Sequence, residues 1–250
     1  MRHRVLLCVL ALGLLLPGAT SARPEQPGGP VNVFAAASLT EVFPAIDKRP
    51  HYNFAGSDQL ALQIQQGAPA DVYAAASPKY PEQLYQQGLV QKPIAFCTNT
   101  LVLIVPKGNP ANIHSVMDLT KPGVKLVIGE ATVPVGSYTR TVLNTLGITA
   151  AVMKNVVSQE NDVKGVLGKV ALGEADAGFV YVTDAKSVLG KIGVIRIRES
   201  AQPHVVYEVA VVKNSTHLAA AYAFVTRLIR PYGQLQLVKY GFGRRPKPVR

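Results

Sequence analysis

Five junctions along the chain place small residues, hydroxyl groups or backbone N–H groups where a strand-like stretch ends and a helix-like stretch begins. The residues at these junctions are Ser38, Ser57, Val135, Val163 and Tyr181. The first N–H groups of a helix have no partner within the helix and carry partial positive charge, so they suit an anion. A single junction of this kind is also typical of an ordinary helix cap. An anion site is therefore predicted only if the fold brings the junctions to one cleft.

The first junction lies in the stretch VNVFAAASLTEVF, residues 31–43. Its β-forming start predicts a strand, and the small side chains of Ala35–Ala37 leave space at the end of that strand. Ser38 and Glu41 then form the S-x-x-E pattern of a capping box, which predicts that a helix begins at Ser38.

The five junction residues carry no formal charge, and this limits the ligand. A cage of neutral donors holds an anion by hydrogen bonds and helix dipoles. An anion that still carries a proton, such as hydrogen phosphate, also needs an acceptor, and a donor-only cage would leave that O–H group unpaired. The predicted ligand is therefore a fully deprotonated tetrahedral dianion. Molybdate, tungstate and sulfate all qualify, and size would separate sulfate from the other two.

Strand-like and helix-like stretches alternate from residue 31 onward, which predicts an α/β fold with mostly parallel sheets covered by helices. The two longest strand signals are TNTLVLIVPKG and VVYEVAVVKN. We interpret them as crossover strands that join two lobes, with the ligand in the cleft between the lobes. The predicted first lobe holds residues 31–97 and 206–250, and the predicted second lobe holds residues 98–205.

The N-terminus has the features of a cleavable secretory signal. Two arginines precede an apolar run, and small residues follow it, so residues 1–22 are predicted to be a signal peptide. The run is too short to span a membrane. Cys8 lies inside the apolar run, so we expect no lipid anchor. Residues 23–30 form a predicted Pro/Gly-rich linker, and the mature protein is expected to be exported.

Composition argues against several other classes of protein. The formal net charge is +11, but the basic residues are scattered except in the C-terminal GRRPKPVR, and no nucleic-acid-binding motif accompanies them. Outside the signal, Cys97 is the one cysteine, so no CxxC redox or zinc motif is present. Serines at strand–helix turns are also found in serine hydrolases, but G-x-S-x-G is absent and the histidines lie in no motif. A hydrolase is therefore the remote alternative.

An ordered set of motifs extends across residues 31–243. The set comprises FAAASL, NFAGS, GAPADV, VPVGSY, NDV, GEADAGFVY and a terminal YGF. Together they closely resemble the periplasmic molybdate-binding proteins of ABC transporters. The resemblance implies a two-lobed periplasmic-binding fold of type II, in which each lobe is a mixed sheet flanked by helices and two crossover strands join the lobes. It also implies capture of molybdate or tungstate as ligand, no cofactor, no catalysis and delivery to a membrane permease by a monomer.

The resemblance also assigns roles to the junction residues. Ser38, Ser57 and Tyr181 would bind the oxyanion through their hydroxyl groups, and Val135 and Val163 through their backbone N–H groups. No side chain would bind the metal atom directly.

The sequence departs from the family pattern at two places. Asp58 follows Ser57, where a second small hydroxyl residue is frequent in the family. A carboxylate beside an anion would repel it, so Asp58 must point away or alter the affinity. The segment DKRPHYNF, which links the first helix to the second strand, is shorter than is usual in the family. It should shorten the first helix and leave the cleft intact. A binding protein for sulfate or another oxyanion is the alternative that keeps the fold.

Overall fold

The computed structural model describes residues 29–247. The predicted signal peptide and residues 23–28 of the predicted linker lie outside the described residues. Two mixed sheets of five strands each, flanked by helices, form two lobes, as the sequence predicts.

The strands and helices have the following bounds. The strands of residues 29–247 are β1 (Asn32–Ala36), β2 (His51–Ala55), β3 (Val72–Ala75), β4 (Ile94–Asn99), β5 (Leu101–Pro106), β6 (Leu126–Gly129), β7 (Val156–Glu160), β8 (Ala177–Tyr181), β9 (Ile192–Arg196) and β10 (Val205–Val211). The helices are α1 (Val42–Ile46), α2 (Ser57–Gln65), α3 (Lys79–Gln86), α4 (Pro134–Thr145), α5 (Thr149–Met153), α6 (Val163–Ala171), α7 (Val182–Ser187), α8 (Leu218–Ile229) and α9 (Pro231–Tyr240). Short 3-10 helices cover Ala37–Leu39, Val116–Thr120 and Glu199–Ala201.

The two sheets share one architecture. The first has the strand order β2-β1-β3-β10-β4 and the second β7-β6-β8-β5-β9. In each, three strands run parallel: β1 with β2 and β3, and β6 with β7 and β8. The antiparallel strands are β10, between β3 and β4, and β5, between β8 and β9. In such sheets a ligand binds beyond the carboxyl ends of the parallel strands, where the helices begin.

The chain passes between the sheets twice. It leaves the first sheet after Asn99 and enters the second at Leu101, so Thr100 alone separates β4 from β5. It returns between Arg196 at the end of β9 and Val205 at the start of β10. The predicted lobe boundaries, residues 97/98 and 205/206, stay a prediction.

Apolar burial explains why these segments pair. Every residue of β5 and β8 is buried, as is all of β3 and β6. Such continuous apolar strands are typical of sheets covered on both faces. None of the helices in residues 29–247 has the length and hydropathy that a bilayer crossing needs.

The predicted capping box at Ser38 is wrong. The 3-10 helix begins at Ala37, with Ala36 as its N-cap, and no side-chain cap is formed there. The Ser38 hydroxyl instead lies 2.8 Å from the Tyr207 hydroxyl, a long-range partner that replaces the local one. α1 begins only at Val42 and has five residues, and whether it is shorter than in related proteins stays a prediction.

Candidate anion-binding site

A small cavity lies between the two sheets. It is bounded by strand ends and helix starts from both lobes. The lining residues are Ala36, Ala37, Ser38, Ala55, Gly56, Ser57, Ala76, Val133, Pro134, Val135, Asp162, Val163 and Tyr181. All five junction residues singled out from the sequence therefore line the same cavity.

Two serines stand on the side of the first sheet. Ser38 is 3% exposed and Ser57, the first residue of α2, is 1% exposed. The Ser57 Oγ accepts the N–H of Ala76 at 3.1 Å, and its carbonyl accepts the Tyr73 hydroxyl at 2.6 Å. Since that Oγ is already an acceptor, its own proton is left to donate elsewhere, and the cavity lies beside it.

Two helix starts stand on the side of the second sheet. Val135 is the second residue of α4 and Val163 is the first residue of α6. Asp162 caps α6 by accepting the N–H groups of Lys164 and Gly165 at 2.7 and 3.0 Å. The Val163 N–H belongs to the same first turn, whose donors have no acceptor inside the helix.

A glycine lets α4 start close to the sheet. A Cβ placed on Gly136 would overlap the carbonyl oxygens of Gly129 and Glu130, which end β6 and follow it. Only a residue without a side chain permits this approach. Gly136 thus sets how near the Val135 N–H comes to the cavity.

Tyr181 supplies a buried hydroxyl at the end of β8. The residue is 1% exposed, and its hydroxyl finds no hydrogen-bond partner among residues 29–247. Burial raises the pKa of Tyr181 well above its ordinary value, so the group stays protonated and can donate. A buried polar group without a partner costs about 1–3 kcal/mol. A bound acceptor would remove that cost.

Each of the two carboxylates nearest the cavity has one oxygen in a hydrogen bond, while Asp58 Oδ1 is buried without a partner among residues 29–247. Asp58, the departure noted in the sequence, does not line the cavity, and its Oδ2 accepts the Thr132 hydroxyl at 2.8 Å. Asp162, in the NDV motif beside Val163, does line it, but its Oδ1 holds the first turn of α6. The Asp162 position after a strand and before a helix was the signal that could have identified it as a cap.

Several contacts hold the two lobes together beside the cavity. Lys164 Nζ of α6 lies 2.8 Å from Glu41 Oε1 of the other lobe, and 3.1 Å from Asp184 Oδ1 within its own lobe. The Tyr80 hydroxyl donates to the Thr132 carbonyl at 2.6 Å. These pairs join residues far apart in the chain, so no local pattern in the sequence indicates them.

The ion pair beside the cavity includes a fully buried carboxyl. Burial raises the pKa of Asp184 to about 6, against the opposing effect of the Lys164 charge. Burial also disfavours the charged form of Lys164, yet the carboxylates of Asp184 and Glu41 raise its pKa overall. Lys164 therefore remains a cation between two acidic groups.

Comparison with known proteins defines the family. Residues 31–243 match the model of the bacterial extracellular solute-binding proteins. The chain belongs to this family. The molybdate-binding protein ModA of Mycobacterium tuberculosis is 39% identical over 246 residues, which cover 94% of this chain and 93% of that protein.

Solved structures show the same fold. The periplasmic molybdate-binding protein of Azotobacter vinelandii aligns with a TM-score of 0.74 at 21% identity, covering 87% of this chain and 100% of that one. The sulfate-binding protein SubI of Mycobacterium tuberculosis aligns with a TM-score of 0.73 at 19% identity, covering 88% of each chain. At these identities the alignments establish the fold alone.

Family membership also decides between the two classes of function considered from the sequence. The protein is a solute-binding protein and not an enzyme. The serine hydrolase alternative is therefore wrong. The bonds of the two serines agree with this, since Ser38 contacts a tyrosine and Ser57 a backbone N–H group.

Proposed function

We propose that this protein captures molybdate, and also tungstate, in the cavity between its lobes and delivers the anion to an ABC permease. The observation that carries the proposal is the convergence of neutral donors on one small cavity, with the unpaired Tyr181 hydroxyl among them. The 39% identical relative named as a molybdate-binding protein supports this choice of ligand.

The donors match a tetrahedral oxyanion. Its four oxygens are acceptors only, and they would receive the hydroxyls of Ser38, Ser57 and Tyr181 and the N–H groups of Val135 and Val163. The anion itself would bring no proton that needs an acceptor. Among residues 29–247, no group of three or more His, Cys, Asp or Glu side chains is placed to hold a metal ion. The protein would thus hold the oxygens and leave the metal atom without a protein ligand.

Closure of the lobes would complete the site. Ser38 and Ser57 belong to the first-sheet side, and Val135, Val163 and Tyr181 to the second. An anion bound to one side would gain the remaining donors only when the lobes meet. In a cavity that excludes water, each of these hydrogen bonds is worth more than in solution. The permease would then recognise the closed pair of lobes.

The N-terminal sequence indicates the cellular location of this activity. Removal of the predicted signal peptide would leave an exported chain that begins at Arg23, and we propose that it acts as a monomer outside the cytoplasm. The family description as extracellular supports this location.

Sulfate is the second candidate ligand. It is also a tetrahedral dianion, and the sulfate-binding SubI shares the fold. Sulfate is smaller than molybdate, so the size of the closed cavity would decide between them.

Isothermal titration of residues 23–250 at pH 7.5 with molybdate, tungstate, sulfate and phosphate tests the proposal. We expect one-to-one binding of the first two and about 5- to 150-fold weaker binding of the others, because an unpaired or ill-fitting polar contact costs about 1–3 kcal/mol. Tight binding of sulfate would show that sulfate is the ligand, and the assignment of the site would stand. Absence of binding to all four would reject the proposal.

A further inference from the structure

Tyr207 contacts the candidate site from behind. It lies in β10, is fully buried, and does not line the cavity. Its hydroxyl is 2.8 Å from Ser38 Oγ and 3.3 Å from Asn99 Nδ2. Asn99 ends β4, at the point where the chain crosses to the second lobe. Three buried side chains therefore form a hydrogen-bonded row that ends at the cavity.

The orientation of the Asn99 amide gives this row a direction. Its Oδ1 accepts the N–H of Thr100 at 2.9 Å, so its NH2 group faces the other way. That group donates to Thr183 Oγ1 at 2.9 Å and to the Tyr207 hydroxyl. An amide nitrogen cannot accept a hydrogen bond. Tyr207 therefore accepts from Asn99.

With Asn99 donating to its oxygen, Tyr207 can give its single proton to Ser38 Oγ, 2.8 Å away. Burial raises the pKa of Tyr207 well above its ordinary value, so the proton is retained at neutral pH. A Ser38 Oγ that accepts this proton cannot return its own to Tyr207. Since Ser38 lines the cavity, its hydroxyl proton is left to point to a bound ligand.

We propose that Asn99 and Tyr207 are positioning residues that fix Ser38 as a hydrogen-bond donor to the bound anion and thereby favour fully deprotonated anions. The inference rests on the proposed function. A serine hydroxyl can ordinarily rotate and serve as donor or acceptor. A Ser38 free to rotate would accept the O–H of hydrogen phosphate, and the site would lose part of its discrimination.

A double-mutant cycle between Tyr207 and Ser38 tests the coupling. Tyr207→Phe should weaken molybdate binding about 5- to 10-fold, the worth of one buried hydrogen bond. It should also lower the ratio of the molybdate affinity to the phosphate affinity at pH 7.5. In the Ser38→Ala background, Tyr207→Phe should change neither quantity. A purely structural role for Tyr207 would weaken binding equally in both backgrounds.

Asn99→Asp tests the direction of the hydrogen bond between Tyr207 and Ser38. A carboxylate accepts only, so Tyr207 would donate to it and accept from Ser38, which turns the lone pairs of Ser38 to the cavity. The added negative charge would itself repel the anion. Asn99→Asp in the Tyr207→Phe background measures that repulsion alone. We expect Asn99→Asp to weaken molybdate binding more in the native background than in the Tyr207→Phe background.

The control variant is Tyr52→Phe. The Tyr52 hydroxyl donates to the carbonyls of Phe43 and Asp47 in the same lobe, away from the cavity. This variant should lose stability and keep both affinities. Thermal unfolding and circular dichroism of every variant establish that it is folded.

The two proposals fail in different ways. If the native protein binds sulfate and not molybdate, the proposed ligand is wrong, and the same cycles are measured with sulfate. If the native protein binds but Tyr207→Phe retains full affinity, or loses as much in the Ser38→Ala background, the positioning role is rejected. Equal effects of Asn99→Asp in both backgrounds would reject the direction. A native protein that binds none of the four anions would reject both proposals.

Discussion

Lys164 Nζ lies 2.8 Å from Glu41 Oε1, although the two residues are 123 positions apart and stand on opposite sides of the cavity. Lys164 follows Val163 at the start of α6, and Glu41 follows the 3-10 helix that contains Ser38. This ion pair therefore joins two of the segments that would bind an anion. In the proposed function, it would tie ligand capture to closure of the lobes.

We predict that Glu41→Gln weakens anion binding by about 2- to 5-fold, because a partly exposed ion pair contributes about 0.2–1 kcal/mol. The substitution removes the charge across the cleft and leaves Lys164 paired with Asp184. The unfolding midpoint of the ligand-free protein should hardly change. Titration calorimetry and stopped-flow dissociation rates check this, and an unchanged dissociation rate would show that the pair has no part in closure.

The absence of a side chain at Gly56 lets the two lobes approach each other. A Cβ at this position would overlap the Asn161 carbonyl of the other lobe and would also press on the movable Asp58 carboxylate, 2.7 Å away, while the backbone angles of Gly56 (φ −57°, ψ 138°) suit alanine. Gly56→Ala should therefore fold but close incompletely. We expect at least about 10-fold weaker binding, the equivalent of about 1.4 kcal/mol. X-ray scattering with saturating ligand should show a larger radius of gyration than for the native complex.

Gly168→Ala is the matched control for that experiment. Gly168 lies inside α6, and a Cβ there would meet nothing within 4 Å. The change should stabilise the helix by up to about 1 kcal/mol and leave binding unaltered. Equal affinities for the Gly56→Ala and Gly168→Ala proteins would contradict the account of closure.

Tyr181→Phe should have opposite effects on binding and on ligand-free stability. Loss of the hydroxyl removes a donor to a charged acceptor, worth about 1.5–3 kcal/mol, or roughly 10- to 150-fold in affinity. The same change removes a buried unpaired group, so the ligand-free protein should be as stable or more stable. Calorimetric titration and thermal unfolding measure the two quantities. A variant that binds normally would remove Tyr181 from the site.

The buried Asp184 predicts a pH dependence of stability. Burial raises the pKa of Asp184 from its ordinary 3.8 to about 6, so the folded protein holds a proton that the unfolded chain has lost. The contribution of this group to stability is therefore full below pH 4, falls as pH rises from about 4 to 6, and stays low above 6. The total change is roughly 3 kcal/mol at 1.36 kcal/mol per pKa unit.

Urea unfolding of Asp184→Asn and of the native protein at pH 4 to 7 checks this sign. The amide cannot titrate, so the variant should lose the fall between pH 4 and 6. The pKa of Glu208 is also raised by burial, to about 7, and its contribution is common to both proteins. Parallel stability curves for the two proteins would show that Asp184 titrates normally.

The α/β architecture and the location of the site were predictable because their signals are local. Alternating strand and helix patterns indicate the two sheets, and small or hydroxyl residues mark the joins at Ser57, Val135 and Val163. Their meeting in one cavity follows from the rule that ligands bind beyond the carboxyl ends of parallel strands. The motif resemblance added the order in which the joins occur.

What the sequence did not indicate depends on long-range contacts. The capping box at Ser38 fails because the Tyr207 hydroxyl, 169 positions away, takes the serine side chain. The sequence also left open whether the Asp58 side chain points toward the anion site, since its partner Thr132 belongs to the other lobe. A local pattern describes what a side chain could bind, while the tertiary structure decides among its partners.

The central claim is that the cavity between the lobes holds the oxyanion through neutral donors. Anomalous diffraction at the molybdenum absorption edge, from crystals of residues 23–250 grown with molybdate, tests it most directly. We expect one anomalous peak inside the cavity, with anion oxygens within about 3 Å of the Ser38, Ser57 and Tyr181 hydroxyls and of the Val135 and Val163 nitrogens. A peak outside this cavity, or an anion held there by other groups, would contradict the account.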